Sequence, residues 1–239
     1  MAAVPVKKGP PVSSDPDASP VNPLPLSVVI LALPIVFVEL ALVAGAEGFV
    51  GGPDAVGWRL SAMQDYAFFG PVFDLMLELG RFPPEHLMRF VTYPFVHVGF
   101  THMLMVMVFL LALGKMAGEV LGAISVLVLF FSSAIVGALV FALATDDPSP
   151  LLGGYPAVYG LIGAYTFILW VRLGQVGEPR HQAFSLIAVL LFIQLVFGLL
   201  FGTGQDWVAE IAGFVTGFAL SPLVAPSGWT RLLERLRQR

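Results

Sequence analysis

Two histidines stand five residues apart in His97-Val98-Gly99-Phe100-Thr101-His102, at the mouth of a long apolar run. A neutral imidazole can take up a proton and return it, while two histidines at a membrane interface are, taken alone, ordinary interfacial or packing residues. At this spacing the two rings do not share a helical face as a pair at four would. Two carboxylates, Glu39 and Glu210, lie inside apolar segments. An ionisable group there is costly unless paired, and by default marks a functional or structural hot point. A phenol, Tyr155, opens a further apolar segment; its resting pKa is near 10 and it is a poor nucleophile toward an amide. Ser132, Ser133 and Ser185 occur in other segments and read as helix-packing hydroxyls, and Lys115 stands at a helix end. No His-Glu-x-x-His or Walker-type loop occurs, and Gly202-Thr203-Gly204-Gln205-Asp206 only approximates an aspartyl-protease motif. No metal or cofactor is therefore expected.

These groups must be positioned by membrane spans. The chain of 239 residues is 57% hydrophobic and only 12% charged, with a mean hydropathy of +0.87. A soluble domain carries about 25% charged residues. The composition therefore predicts an integral membrane protein. Six apolar runs approach the roughly 20 residues that a bilayer requires: 24–45, 98–117, 121–144, 154–172, 183–203 and 207–225. The expected fold is all-α, a polytopic bundle of six transmembrane helices. Between the first two runs the insert 46–96 is too mixed to span and reads as a re-entrant or interface-lying, membrane-associated loop, with Trp58, Tyr66 and its phenylalanines at headgroup depth. The net charge of −4 carries no nucleic-acid signature. The absence of cysteine excludes disulfides.

Residues 1–23 are rich in Pro, Ser and Asp, cannot bury a core, and read as a disordered cytoplasmic tail without a cleavable signal. Residues 24–225 form the membrane domain, and 226–239 a basic tail suited to an anionic leaflet. A cytoplasmic N-terminus puts Lys7, Lys8, Lys115, Arg172, Arg180, Arg231, Arg235, Arg237 and Arg239 on the inner side, and only Arg59, Arg81 and Arg89 outside. Nine against three predicts that both termini are cytoplasmic. The compact six-span layout is read as that of a bacterial inner-membrane protein.

Three stretches share a pattern. In Gly153-Gly154-Tyr155-Pro156-Ala157-Val158-Tyr159-Gly160-Leu161-Ile162-Gly163-Ala164, small residues recur on one helical face. Arg89-Phe90-Val91-Thr92-Tyr93-Pro94-Phe95-Val96 runs directly into His97 and His102. Asp206-Trp207-Val208-Ala209-Glu210-Ile211-Ala212-Gly213-Phe214-Val215-Thr216-Gly217 carries Gly-x-x-x-Gly, a close-packing spacing. As a set, in this order and in these segments, they resemble the rhomboid family of intramembrane serine proteases. The resemblance covers about residues 24–225. It matches Arg89, Thr92, Phe95, His97, His102, Gly114, Glu119, Gly154, Gly160, Gly213 and Gly217 to family positions, with Met88 in place of a Trp.

The same resemblance places Tyr155 at the family's nucleophilic Ser, Glu210 at its general-base His, and Val106 at the Asn that helps to bind the oxyanion. One oxyanion donor is typically worth about 3–4 kcal/mol of barrier, and valine has none. The expectation is thus a rhomboid-like pseudoprotease that binds transmembrane segments of client proteins, with membrane lipids as its other partners. Glu210 is expected to hydrogen-bond Tyr155 in place of the Ser-His pair. Glu39 is left among the histidines, the 46–96 loop and a polar cavity. Two alternatives stand beside this: an active serine endopeptidase with displaced catalytic residues, and a small transporter or channel using Glu39 and Glu210.

Overall fold

In lipid every backbone polar group must be satisfied within the protein, so long apolar runs become helices. The computed structural model describes residues 23–201 and 204–226, the side chain of residue 201 excepted. Among these, six helices are long and apolar enough to cross a membrane. They are α1 (Leu26–Ala46), α6 (Phe100–Leu121), α7 (Ala123–Ala144), α8 (Tyr155–Val176), the span Arg180–Leu200 that contains most of α9 (Ser185–Phe201), and α10 (Asp206–Val224). The architecture is the expected all-α bundle, and the chain is an integral, multi-pass membrane protein. Apart from Pro23 and Pro226, the two expected tails lie outside the described residues, as do Lys7, Lys8, Arg231, Arg235, Arg237 and Arg239 of the expected cytoplasmic set.

Small residues set the core of the bundle. A Cβ on Gly217 would sit 1.9 Å from the Gly160 carbonyl oxygen, and one on Gly213 would sit 2.1 Å from that of Pro156. On Gly163 it would meet the Phe214 carbonyl at 2.2 Å. Backbone therefore lies against backbone along α8 and α10, the contact expected from their small residues. Gly137 of α7 closes the third side, where a Cβ would come within 2.9 Å of both the Ala209 carbonyl and Pro156. On the far flank Gly114 of α6 receives Val28 of α1. The fifth span is the exception: 11% of its most apolar window is buried, against 50% for α7 and for α8. It stands at the edge of the bundle.

The insert 46–96 is more structured than a loop. It holds α2 (Trp58–Tyr66), α3 (Gly70–Leu79), α4 (Pro84–Leu87) and α5 (Arg89–Thr92), with tight turns at Pro53–Gly57 and Tyr93–Phe95. Trp58 folds back onto Gly51, whose φ of +78° and crowding (an added Cβ would be 2.4 Å from the indole) both require glycine. Phe68, Phe73 and Phe90 form an aromatic cluster with centroids 4.7 to 6.4 Å apart. A short antiparallel bridge joins Phe68 to Leu151. It ties the insert to the turn that leads into α8.

Candidate functional site

The turn before α8 is where the site is built. Gly153 has φ +80°, and a Cβ there would strike His102 at 2.6 Å. Its N–H donates to the Tyr93 carbonyl at 3.0 Å, while the Tyr93 hydroxyl donates to the Ala134 carbonyl at 2.9 Å. Tyr93 is fully buried, which pushes its phenol well above the usual range. Pro156 stands in the first turn of α8, where a missing N–H costs nothing.

His97 is fully buried, and the Gly154 N–H donates to its Nε2 at 3.4 Å. The ring proton of the neutral form is then on Nδ1. Burial, first of all, lowers its pKa to about 3, and neighbouring His102 and Arg59 act in the same direction against the Phe95 backbone. His102 lies edge-on to His97, at 5.3 Å between centroids. On its other side it stacks on Tyr155, at 4.9 Å and 26°. Val106 is fully buried and fills the space beside Gly154, where an added Cβ would meet it at 2.7 Å. The histidine pair, Val106, Gly154 and Tyr155 thus come together at this turn.

Glu210 does not do what was expected of it. No hydrogen bond joins it to Tyr155 among the described residues. Gln194 of α9 donates through Nε2 to its carboxylate, and Tyr159 is its neighbour on α8. The reason is rotational. Tyr155 and Tyr159 are one turn apart on the same face of α8; the first turns its ring onto His102, leaving the second for the carboxylate. Sequence reasoning passed over Gln194, although it is the one amide in an otherwise apolar span. A polar side chain at that depth is itself a signal.

Glu39 resolves toward the insert. It is 99% buried and forms a two-pronged pair with Arg59, at 2.7 and 3.0 Å. Arg59 also donates to the His97 carbonyl at 2.7 Å. One guanidinium thus fastens α1, α2 and the histidine turn. Arg89 lies away from this cluster. It donates to the Ala67 carbonyl at 2.9 Å and covers the Phe69 ring, while Thr92 donates to the Tyr66 carbonyl. The Arg89–Phe95 block therefore anchors the insert. Glu119 is exposed near the opposite end of α6, about 25 Å along the helix from His102.

A cavity of about 710 Å³ opens beside these groups. His102, Tyr155, Gln194, Asp206 and Glu210 give it a polar end, and Leu191, Leu195, Trp207 and Ile211 are among its apolar walls. At its rim Asp147 accepts from the Gln205 N–H at 3.0 Å and the Ser149 N–H at 2.9 Å. Those bonds, the Gln205 one foremost, hold its carboxyl below the usual range. Among the described residues the lining contains no serine, threonine or lysine. No group of three or more His, Cys, Asp or Glu residues suited to a metal occurs among the described residues.

Residues 84–227 match the sequence model of the Rhomboid domain. The chain is 33% identical over 154 residues to Rhomboid-like protease 3 of Toxoplasma gondii, covering 61% of this chain and 56% of that protein. It is 29% identical over 147 residues to RHOMBOID-like protein 4 of Arabidopsis thaliana, covering 59% and 36%. To Rhomboid-like protease 1 of T. gondii it is 27% identical over 164 residues, covering 64% and 54%. The matched stretch thus spans between about a third and a little over half of these relatives.

Proposed function

The chain belongs to the rhomboid family, and from that premise we propose that it is a pseudoprotease, a scaffold that binds transmembrane segments of client proteins without cleaving them. One observation carries this reading: among the described residues, the cavity beside His102 offers a phenol, an amide and two carboxylates, and no aliphatic hydroxyl or amine to attack a peptide bond. Tyr155 stacks on an imidazole and does not bond to a base. Val106 supplies no oxyanion donor, and the Gly154 N–H is directed at His97. Losing a nucleophile or its base removes almost all rate in hydrolases of this logic.

The cavity suits a helical segment because α9, its outer wall, is so little buried. As part of the same proposal, both termini are cytoplasmic, and the membrane is a bacterial inner membrane. The second reading is an active serine endopeptidase with displaced residues, favoured by the likeness to two proteins named as rhomboid-like proteases. A transport path through Glu39 has less to recommend it, since Arg59 holds that carboxylate.

The test is incubation of the purified protein in lipid nanodiscs with helical transmembrane substrates. Binding without cleavage, and no labelling by fluorophosphonates, is the expected result. Cleavage that is lost in Glu210→Ala or Tyr155→Phe would favour the protease. Combined Tyr155→Ser, Glu210→His and Val106→Asn tests whether the frame can be returned to hydrolysis.

A further inference from the structure

The polar end of the cavity holds two carboxylates and an unpartnered amide oxygen, with no lysine or arginine in its lining among the described residues. Glu210 is 94% buried and accepts one hydrogen bond, from Gln194. A carboxylate has about four acceptor sites. The Gln194 Oε1 is itself buried without a partner. Asp206 lies one turn from Glu210 on the same face of α10, an arrangement of like charges that is unfavourable by itself. No lysine or arginine lines the cavity among the described residues. Arg59 is committed to Glu39, and Arg180 lies on the Trp170 ring.

Buried acceptors without donors are costly, and a buried carboxylate without a cation more so. A ligand that brought several N–H groups on a positive centre would satisfy both. The remaining walls, Leu191, Leu195, Trp207 and Ile211, call for an apolar body. We propose that the cavity receives a client transmembrane helix bearing a lysine or arginine, whose cationic group is held between Glu210, Asp206 and the Gln194 Oε1. Glu210 is the fifth residue of α10, which puts it about 6 Å in from the head of that helix. The cation is therefore sought about one turn inside the client's span, on the side where α8 begins. This rests on the scaffold reading above and adds a choice of client to it.

Three synthetic helices of about 22 residues, with neutral polar flanks, carry Lys, Leu or Glu at the fifth position of the apolar span. Their affinities are measured by energy transfer to the full-length protein in phosphatidylcholine nanodiscs. The Lys helix is expected to bind about tenfold tighter than the Leu helix, with the Glu helix weakest. In Asp206→Asn/Glu210→Gln the advantage of the Lys helix over the Leu helix disappears. Equal binding of Lys and Leu helices to the natural protein, or a Lys advantage that survives in the double variant, would overturn the inference and leave the scaffold reading intact. Failure of all three helices to bind would remove the scaffold reading itself. Dodecylamine binding as tightly as the Lys helix, with no contribution from the peptide body, would assign the site to a lipid-like amine and likewise overturn the inference. Should the double variant not fold, the ranking of the three helices on the natural protein still decides.

Discussion

The rings of His102 and Tyr155 stack at 4.9 Å with their planes 26° apart. The phenol thus contributes to the site as a face and not as an acid. Its hydroxyl forms no bond to Glu210 among the described residues. Tyr155→Phe should therefore change thermal stability by no more than about 0.5 kcal/mol. Tyr155→Ala loses the stacked pair, worth about 0.5–1.5 kcal/mol beyond area, and should be clearly less stable. Denaturation of both variants in detergent checks the order; a large loss in the Phe variant would restore a bonding role for the hydroxyl.

The contact of α8 with α10 leaves no room for one methyl group. Gly217→Ala drives a Cβ against the Gly160 carbonyl, a rigid neighbour, and should cost about 1–3 kcal/mol or more. Gly57→Ala is the control, since nothing lies within 4 Å of its Cβ position; it should be near neutral. Unfolding midpoints of the two variants are the measurement, and equal midpoints would show that the helices can separate without penalty.

Removing one partner of a buried pair strands the other. Arg59→Leu should destabilise by about 3–5 kcal/mol, because Glu39 has 1% exposure and no other ionic partner among the described residues. Adding Glu39→Gln should recover part of that loss. A double-mutant cycle reads the coupling directly. Simple additivity of the two changes would mean the pair contributes nothing.

His97 carries a pH signature. Its folded pKa of about 3 lies below the ordinary 6.5, so the unfolded chain takes up the proton first as pH falls. Stability is full above about pH 6.5 and declines as pH drops toward 3. By pH 4.5 the loss from this group is about 2–3 kcal/mol. His97→Gln should flatten that slope. Nitrogen-15 spectra should show a neutral ring at pH 5, and an imidazolium there would contradict the assignment.

The spans and the histidine turn were readable in the chain because they depend on local signals. Run length identified the helices, and the spacing of Arg89, His97 and His102 survived from sequence to structure. The long-range partners were not readable. Arg59 is the first cation after Glu39, yet nothing local says that the chain folds it back across a separation of 20 residues. The rotation of α8 decides between Tyr155 and Tyr159 as the neighbour of Glu210, and a one-turn difference leaves no trace in hydrophobic pattern. Gln194 was visible as an amide in an apolar span, but its partner depends on how α9 leans against α10.

The Glu39–Arg59 pair also imposes an order on biosynthesis. When α1 first leaves the ribosome its carboxylate has no counterion within reach, since Arg59, 20 residues behind it, is still inside the exit tunnel. The nascent helix therefore enters the bilayer with Glu39 unpaired. It becomes settled only after α2 has arrived to close over it. Translation pausing between these two points would expose a half-made intermediate to quality control, and the pairing distance in sequence sets how long that window lasts.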